Sequence, residues 1–241
     1  MLSRNIFSDE HDMMRETARR FFEREVAPFH RAWEKAGVAP RSIWKKAGEA
    51  GLLCVNIPEA YGGGGGDRLA AAVLIEEQAR LGFSGPGFST HSDIVAPYIL
   101  NYGSEEQKLG WLPRMAKGDA IGAIVLTEPS AGSDLRAIRS TAIRDGDEIV
   151  LNGQKTFITN GQCADLLLVA AKPTAQGGAT KDISLLLVDA SLQGITRGKN
   201  FEKIGMKAQD TCELFFDNVR LPASCLLGEE GRAFPLLSRE L

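Results

Sequence analysis

The sequence predicts an α+β protein in which an all-α N-terminal domain precedes an antiparallel β-barrel or sandwich. Two observations support this prediction. Up to residue 119 the apolar residues recur at helical spacing, whereas from residue 120 they form short runs separated by turn residues. We therefore predict a helical domain over 1–119 and a β-domain over 120–230, with 231–241 opening a further helical segment.

The helices are predicted from apolar periodicity and from residues that favour helix ends. Pro28 ends the first apolar run, Asp67 is suited to cap a helix after a five-glycine loop, and Ser104 with Gln107 forms a capping box. On these criteria helices are predicted after Asp67 and over 8–27, 42–50, 90–102 (bent or broken near Pro97) and 104–115.

The strands are predicted from short apolar runs bounded by turn residues. Asp145-Gly146 and Asn152-Gly153 are both dipeptides that favour tight hairpins. The resulting strands lie at 121–126, 140–144, 148–151, 154–159, 166–171, 183–188 and 214–220.

Composition excludes several classes of function. The net charge of −3 leaves no excess of cations for nucleic-acid binding. The four cysteines and three histidines have no metal-ligand spacing, so we predict reduced structural thiols and no metal site. No run is apolar enough for a membrane span, and the N-terminus lacks a targeting pattern, which favours a cytoplasmic protein.

Three motifs that suggest other functions fail on inspection. The glycines from Gly62 and from Gly85 lack the last glycine of a dinucleotide-binding fingerprint. Gln154-Lys155-Thr156 has no upstream phosphate-binding glycine, and Pro86 occupies the last glycine position of a nucleophile elbow. Phosphate-binding and hydrolase functions are therefore disfavoured.

The informative pair of segments is Thr127-Glu128-Pro129-Ser130-Ala131-Gly132-Ser133-Asp134 and Phe157-Ile158-Thr159-Asn160-Gly161. The first leaves a predicted strand and turns through proline and glycine, so it presents N–H groups and small hydroxyls at a strand end. Alone it is equally consistent with an ordinary turn. The second adds an aromatic ring and a hydroxyl at a neighbouring strand end, which together favour a site for a planar, oxygen-rich ligand.

With these two segments the chain resembles the acyl-CoA dehydrogenase family. The resemblance extends in order over essentially all 241 residues. It includes Tyr61-Gly62-Gly63, Gly103-Ser104-Glu105-Glu106-Gln107, Gly205-Met206-Lys207-Ala208-Gln209-Asp210-Thr211 and Val219-Arg220-Leu221-Pro222. Trp33-Glu34-Lys35-Ala36-Gly37 is most similar to the long-chain branch.

The resemblance implies an FAD-dependent oxidoreductase that converts a fatty acyl-CoA to the trans-2-enoyl-CoA. It implies that Thr127 hydrogen-bonds the flavin ring, that Thr159 lies near its N5 atom, and that Phe157 stands where many relatives carry Trp. The implied substrate contacts are Ser133, Ala179 and Thr180. The implied cofactor contacts are Ile124, Val125, Leu126, Thr127, Glu128, Pro129, Ser130, Ala131, Gly132, Ser133, Phe157, Ile158 and Thr159.

The resemblance also implies a C-terminal helical bundle, which is missing here. The family's catalytic glutamate lies in that bundle, beyond Leu241, so no catalytic residue is assigned, and Glu76 and Glu77 are interpreted as solvated helix residues. We therefore expect a fragment or truncated product of a longer homotetramer or homodimer that passes electrons to electron-transferring flavoprotein. Two alternatives stay open: an acyl-CoA oxidase or flavin monooxygenase on the same scaffold, and a non-catalytic flavin-binding module.

Overall fold

The computed structural model describes residues 6–175, 178–179 and 183–240. The helices within these residues precede the sheet, apart from the last one. They are α1 (Asp9–Phe21), α2 (His30–Ala36), α3 (Arg41–Glu49), α4 (Arg68–Arg80), α5 (Ala96–Tyr102), α6 (Glu105–Ala116) and α7 (Ala233–Glu240). Wider π-helical turns, Phe22–Val26 and Thr90–Val95, continue α1 and lead into α5.

The helix ends follow the signals in the sequence. The Asp67 carboxylate accepts a hydrogen bond from the Ala70 N–H at 2.9 Å and so caps α4. Ser104 and Gln107 form the reciprocal capping box of α6. The helix α2 was not predicted, because its seven residues are too few for a clear apolar period; it ends at Gly37, whose φ of 75° favours glycine.

The strands form one mostly antiparallel sheet. In the described residues they are β1 (Gly122–Val125), β2 (Thr141–Asp145), β3 (Glu148–Thr159), β4 (Leu166–Ala175), β5 (Gly178–Ala179), β6 (Ser184–Asp189), β7 (Ile195–Arg197), β8 (Thr211–Pro222) and β9 (Leu226–Leu227). Their order is β7-β8-β3-β2-β4-β6-β9, with β1 and β5 also paired to β4. The strands β1 and β2 run parallel to β4, and the other pairs are antiparallel.

One predicted hairpin is confirmed and the other is wrong. The turn at Asp145-Gly146 joins β2 to β3. At Asn152-Gly153, however, β3 continues without a turn and only shifts register against β8. The Asn152 side chain accepts a hydrogen bond from the Asn218 N–H, and Gly153, at φ 149°, lies against Ser140. Pairing with a long neighbouring strand therefore overrides the local turn preference.

The helical and β parts share a continuous core. One buried cluster joins α5 and α6 to β4, β6 and α7, and another lies within the sheet. His91 crosses the junction: its ring accepts a hydrogen bond from the Gly122 N–H at 3.0 Å and lies 3.2 Å from the Met115 carbonyl oxygen. Burial lowers the pKa of His91 to about 4, so the ring is neutral when it anchors the start of β1.

The solvated interpretation of Glu77 is wrong. Its side chain is fully buried and receives hydrogen bonds from Arg15, Arg19 and Arg80. Burial opposes ionisation, but the three guanidinium groups outweigh it and hold the pKa of Glu77 at about 2. The carboxylate therefore ties α4 to α1 as a structural group.

Candidate functional site

The segment that follows β1 is held in place by a buried ion pair. The Lys155 ammonium on β3 donates to the Glu128 carboxylate at 2.8 Å and to the Leu126 carbonyl at 2.9 Å, with both charged side chains almost inaccessible to solvent. The same carboxylate accepts from the Arg139 N–H at 2.5 Å and the Ser140 N–H at 3.0 Å. Glu128 therefore anchors both ends of the loop inside the protein.

The pKa values of Glu128 and Lys155 are set by burial and by the contacts between the two groups. Burial would raise the pKa of Glu128, but the Lys155 charge and the hydrogen bonds from Lys155, Ser140 and Arg139 hold it below its usual value. Burial also lowers the pKa of Lys155, an effect that the Glu128 charge opposes. Because Glu128 is held by these donors inside the protein, the exposed residues of the segment 127–134 are Pro129, Ser130, Gly132, Ser133 and Asp134.

The end of β3 presents a strained, exposed aromatic residue beside this loop. Phe157 has φ 57° and is 66% exposed, within a register shift between β3 and β8. Positive φ is unusual for a bulky side chain, and such strain is concentrated at functional sites. The preceding Thr156 N–H donates to the Thr127 carbonyl at 2.9 Å, which joins the end of β3 to the loop. The bulge therefore directs an aromatic ring outward beside the loop.

Asn160 links three segments beside the surface formed by the end of β3 and the loop after β1, which we call the edge. Its fully buried side chain donates to the carbonyls of Gly87 and Gly122 at 3.0 and 3.2 Å, while its backbone has φ 63°. Because Asn tolerates left-handed backbone better than most residues, it ends the strand here. This side chain fixes the 84–89 segment against β1 and the end of β3.

A largely apolar cavity of about 390 Å³ opens beside Thr159. We name it the interdomain cavity, because helices and loops that precede β1 form most of its wall and Met206 and Gln209, after β7, form the rest. The Gln209 amide, which lines it, lies 3.4 Å from the Thr159 hydroxyl oxygen. Its lining includes Phe22, Leu52, Leu74, Phe88, Met206 and Gln209. A ligand at the β3 end could therefore extend an apolar group into this cavity.

The predicted cofactor contacts differ in exposure: some side chains are accessible to solvent and others are buried. Thr127, Thr159 and Ile124 are half-buried at the edge. The side chains of Val125, Leu126, Glu128, Ala131 and Ile158 are buried in the interior, so only their backbone faces the loop region. Of the predicted substrate contacts, Ser133 is exposed and Ala179 lies in β5 opposite Thr174, whereas Thr180 lies outside the described residues.

Sequence reasoning missed Lys155 and Gln209 as parts of this edge. For Lys155 a signal was available: Ile149, Leu151 and Lys155 alternate along β3 and all face inward. An inward lysine requires a buried acceptor, which is Glu128. For Gln209 the sequence held no local signal, because its contact with Thr159 spans fifty residues.

The described residues contain neither a metal-ligand cluster nor a membrane-spanning helix. No three of their His, Cys, Asp or Glu side chains come together as ligands. Across the same ranges, helices of sufficient length and apolarity to cross a membrane are absent. The four cysteines, none of them disulfide-bonded, are buried or half-buried.

The fold is a helical part followed by a mostly antiparallel sheet, with a candidate ligand site beside the end of β3, and comparisons identify its family. Residues 8–119 match the model of the acyl-CoA dehydrogenase N-terminal domain and residues 123–219 that of the middle domain. The long-chain specific acyl-CoA dehydrogenase, mitochondrial, of Sus scrofa is 54% identical over 99% of this chain. The chain belongs to the acyl-CoA dehydrogenase family, as the resemblance predicted.

Solved structures agree with this assignment. Acyl-CoA dehydrogenase from Geobacillus kaustophilus superposes with a TM-score of 0.94 at 48% identity, covering 99% of this chain and 63% of that one. Acyl-CoA dehydrogenase complexed with FAD from Bacillus anthracis has a TM-score of 0.90 at 32% identity, covering 99% of this chain and 41% of that one. The chain spans 56% of the length of the Sus scrofa relative, so it corresponds to the N-terminal and middle domains.

Proposed function

We propose that this chain supplies the N-terminal and middle domains of an FAD-dependent enzyme that oxidises a fatty acyl-CoA thioester to the trans-2-enoyl-CoA. One observation carries the proposal: the strained Phe157 and the Thr159 hydroxyl lie at the end of β3, which is hydrogen-bonded to the loop after β1, and Thr159 contacts Gln209, a residue that lines an apolar cavity. Family membership and the structural relative solved with FAD support it.

The residues at this edge fit a flavin. A flavin ring has broad aromatic faces and a rim of oxygen and nitrogen acceptors. The exposed ring of Phe157 offers an aromatic surface, and its backbone strain is explained if that ring serves a ligand. The Thr159 oxygen lies 3.4 Å from the Gln209 amide as an acceptor, so its O–H can donate to the flavin rim, as can the half-buried Thr127 hydroxyl.

In this proposal bound FAD would supply the acceptor for the hydride that leaves the β-carbon of the substrate. The chain's own residues orient and shield the reacting parts. Thr127 and Thr159 orient the ring, and Ser130, Gly132 and Ser133 provide backbone N–H groups and hydroxyls for the polar parts of FAD and CoA. The interdomain cavity takes the acyl chain, where each buried CH₂ contributes about 0.8 kcal/mol. A filled cavity also excludes water from the edge.

Among the described residues, the carboxylates nearest the loop and the chain end have structural partners. Glu128 pairs with Lys155, Asp134 accepts a hydrogen bond from the Arg136 N–H at 3.1 Å, and Glu240 accepts hydrogen bonds from Asn101 and Tyr102 at 2.9 Å. We therefore assign the base that removes the α-proton to the part of the relatives that this chain does not span. Acyl-CoA is expected to leave the flavin of this chain oxidised.

The test is FAD binding by the purified chain, measured from quenching of flavin fluorescence, in the native protein and in Phe157→Ala. Loss of the aromatic contact should weaken FAD binding about three- to tenfold. Ile143→Ala is the matched control, since Ile143 is an exposed apolar strand residue on β2. Equal FAD affinity in the two variants, or no FAD binding by the native chain, would refute the proposed site.

The wider predictions belong to the same proposal. Electron-transferring flavoprotein is the proposed electron acceptor, the proposed assembly is a homodimer or homotetramer, and the proposed location is the cytoplasm. The predicted domain limits, 1–119, 120–230 and 231–241, stay a prediction that limited proteolysis can check. Light scattering during size-exclusion chromatography measures the assembly directly.

A further inference from the structure

The interdomain cavity contains one charged lining residue, Asp93, on the π-helical segment before α5. Several polar side chains around it are engaged with protein groups: Gln78 donates to the Pro86 carbonyl at 3.0 Å, and Ser92 accepts from the Cys54 N–H at 3.0 Å. Within the described ranges, Asp93 has no hydrogen bond or ion pair. An unpaired carboxyl in an apolar wall is unfavourable unless water or a ligand serves it.

Asp93 also lines a second cavity, of about 560 Å³, which we name the helix-end cavity. Its other lining residues include Arg68, Pro97, Leu100 and Arg239. Asp93 and Ile75 are the two residues that line both cavities, so the cavities meet at this pair. An apolar chain that continued from the first cavity into the second would have to pass the Asp93 carboxyl.

Asp93 disfavours an acyl chain that passes it, because the hydrocarbon would remove water from the carboxylate. Asp93 is half-buried, and this burial raises the pKa of its carboxyl to about 6. At neutral pH the group is mainly ionised. A hydrocarbon placed against it would remove more water and give no hydrogen bond in return. The rest of the interdomain cavity's lining is largely apolar and uncharged, so it carries no such penalty.

We infer that Asp93 is a specificity-determining residue that ends the hydrocarbon-binding part of the interdomain cavity. It therefore limits how many carbons of a saturated acyl chain contribute to the affinity. This inference rests on the proposed function, because it takes the cavity as the acyl site. Acyl carbons before Asp93 are buried by apolar side chains, whereas acyl carbons beyond it add no affinity.

The quantity to measure is the dissociation constant of acyl-CoA thioesters as a function of acyl-chain length. Each buried CH₂ tightens binding about fourfold, from about 0.8 kcal/mol per CH₂. With the native chain, dissociation constants for saturated acyl-CoA thioesters of eight to eighteen carbons should fall along the series and then level off. In Asp93→Leu the fall should continue to longer chains, because an apolar side chain replaces the carboxylate where the two cavities meet. Asp93→Asn, which removes the charge and keeps the size, should shift the limit by a smaller amount.

Glu240→Gln is the matched control, since Glu240 lines the helix-end cavity alone and its removal should leave the limit unchanged. The inference is overturned if Asp93→Leu, shown to be folded by circular dichroism, levels off at the native length, or if the native series never levels off. Where Asp93→Leu does not fold, the Asp93→Asn series decides by the same criterion. Failure of every acyl-CoA to bind the native chain would instead refute the proposed function.

Discussion

Replacing Glu128 by Gln tests whether the buried ion pair holds the loop after β1. The Lys155 side chain is fully buried and that of Glu128 is 3% exposed, so solvent cannot serve the ammonium once its partner is neutral. Lys155 would keep only the Leu126 carbonyl as a strong acceptor. Removing one member of a buried pair costs about 3–5 kcal/mol. This is a large part of the roughly 5–15 kcal/mol that stabilises a typical domain.

The assay is urea unfolding followed by tryptophan fluorescence, with the free energy of unfolding taken from the midpoint and slope. We expect Glu128→Gln to lose about 3–5 kcal/mol at pH 7. Glu106→Gln, an exposed carboxylate on α6, should change by less than about 0.5 kcal/mol. Adding Lys155→Met to Glu128→Gln removes the unpaired charge and should restore part of the loss.

The pH dependence gives the sign of the effect. Because the folded-state pKa of Glu128 lies below the value of 4.5 for a free glutamate, its stabilisation is present above that pH and is lost as the pH falls. The difference between the native chain and Glu128→Gln should therefore shrink below about pH 4.5. A Glu128→Gln variant as stable as Glu106→Gln at pH 7 would refute the reasoning.

Three further substitutions test other contacts, each by urea unfolding at pH 7. Glu77→Gln should cost about 2–3 kcal/mol, a deficit present above pH 4.5 and lost toward pH 2, since the folded-state pKa of Glu77 is about 2. Gly118→Ala should cost about 1–3 kcal/mol, because φ is 70° and the new Cβ would lie 2.2 Å from the Trp44 carbonyl oxygen. Asn160→Ala should cost about 2–4 kcal/mol through two lost hydrogen bonds and a less favourable backbone. Changes below about 0.5 kcal/mol would contradict the respective contacts.

Much of the fold could be predicted from the sequence, because the signals concerned are local. Helix caps at Asp67 and Ser104 act over three residues, and the Asp145-Gly146 turn joins adjacent strands. A cap satisfies backbone N–H groups of its own helix, so its effect does not depend on distant packing. The change from helical to alternating periodicity near residue 120 likewise follows from which face each element must bury.

The sequence predicted the site only as two separate segments, without the arrangement of their side chains. Residues 127–134 and 157–161 carried a recognisable combination of turn residues, hydroxyls and an aromatic ring. That Phe157 is exposed while Ile158 is buried depends on the bulge between β3 and β8. A bulge changes which side chains face outward, and its position is set by the partner strand.

The sequence by itself determined the two-part α+β organisation, most element ends and the family of this protein. The tertiary structure alone decided that Asn152-Gly153 stays within a strand, that Glu77 and Glu128 are buried anchors, and that Asp93 stands between two cavities. The reason is the distance over which each effect acts. Caps and turns are governed by neighbouring residues, whereas the environment of a carboxylate is created by side chains that folding brings from far along the chain.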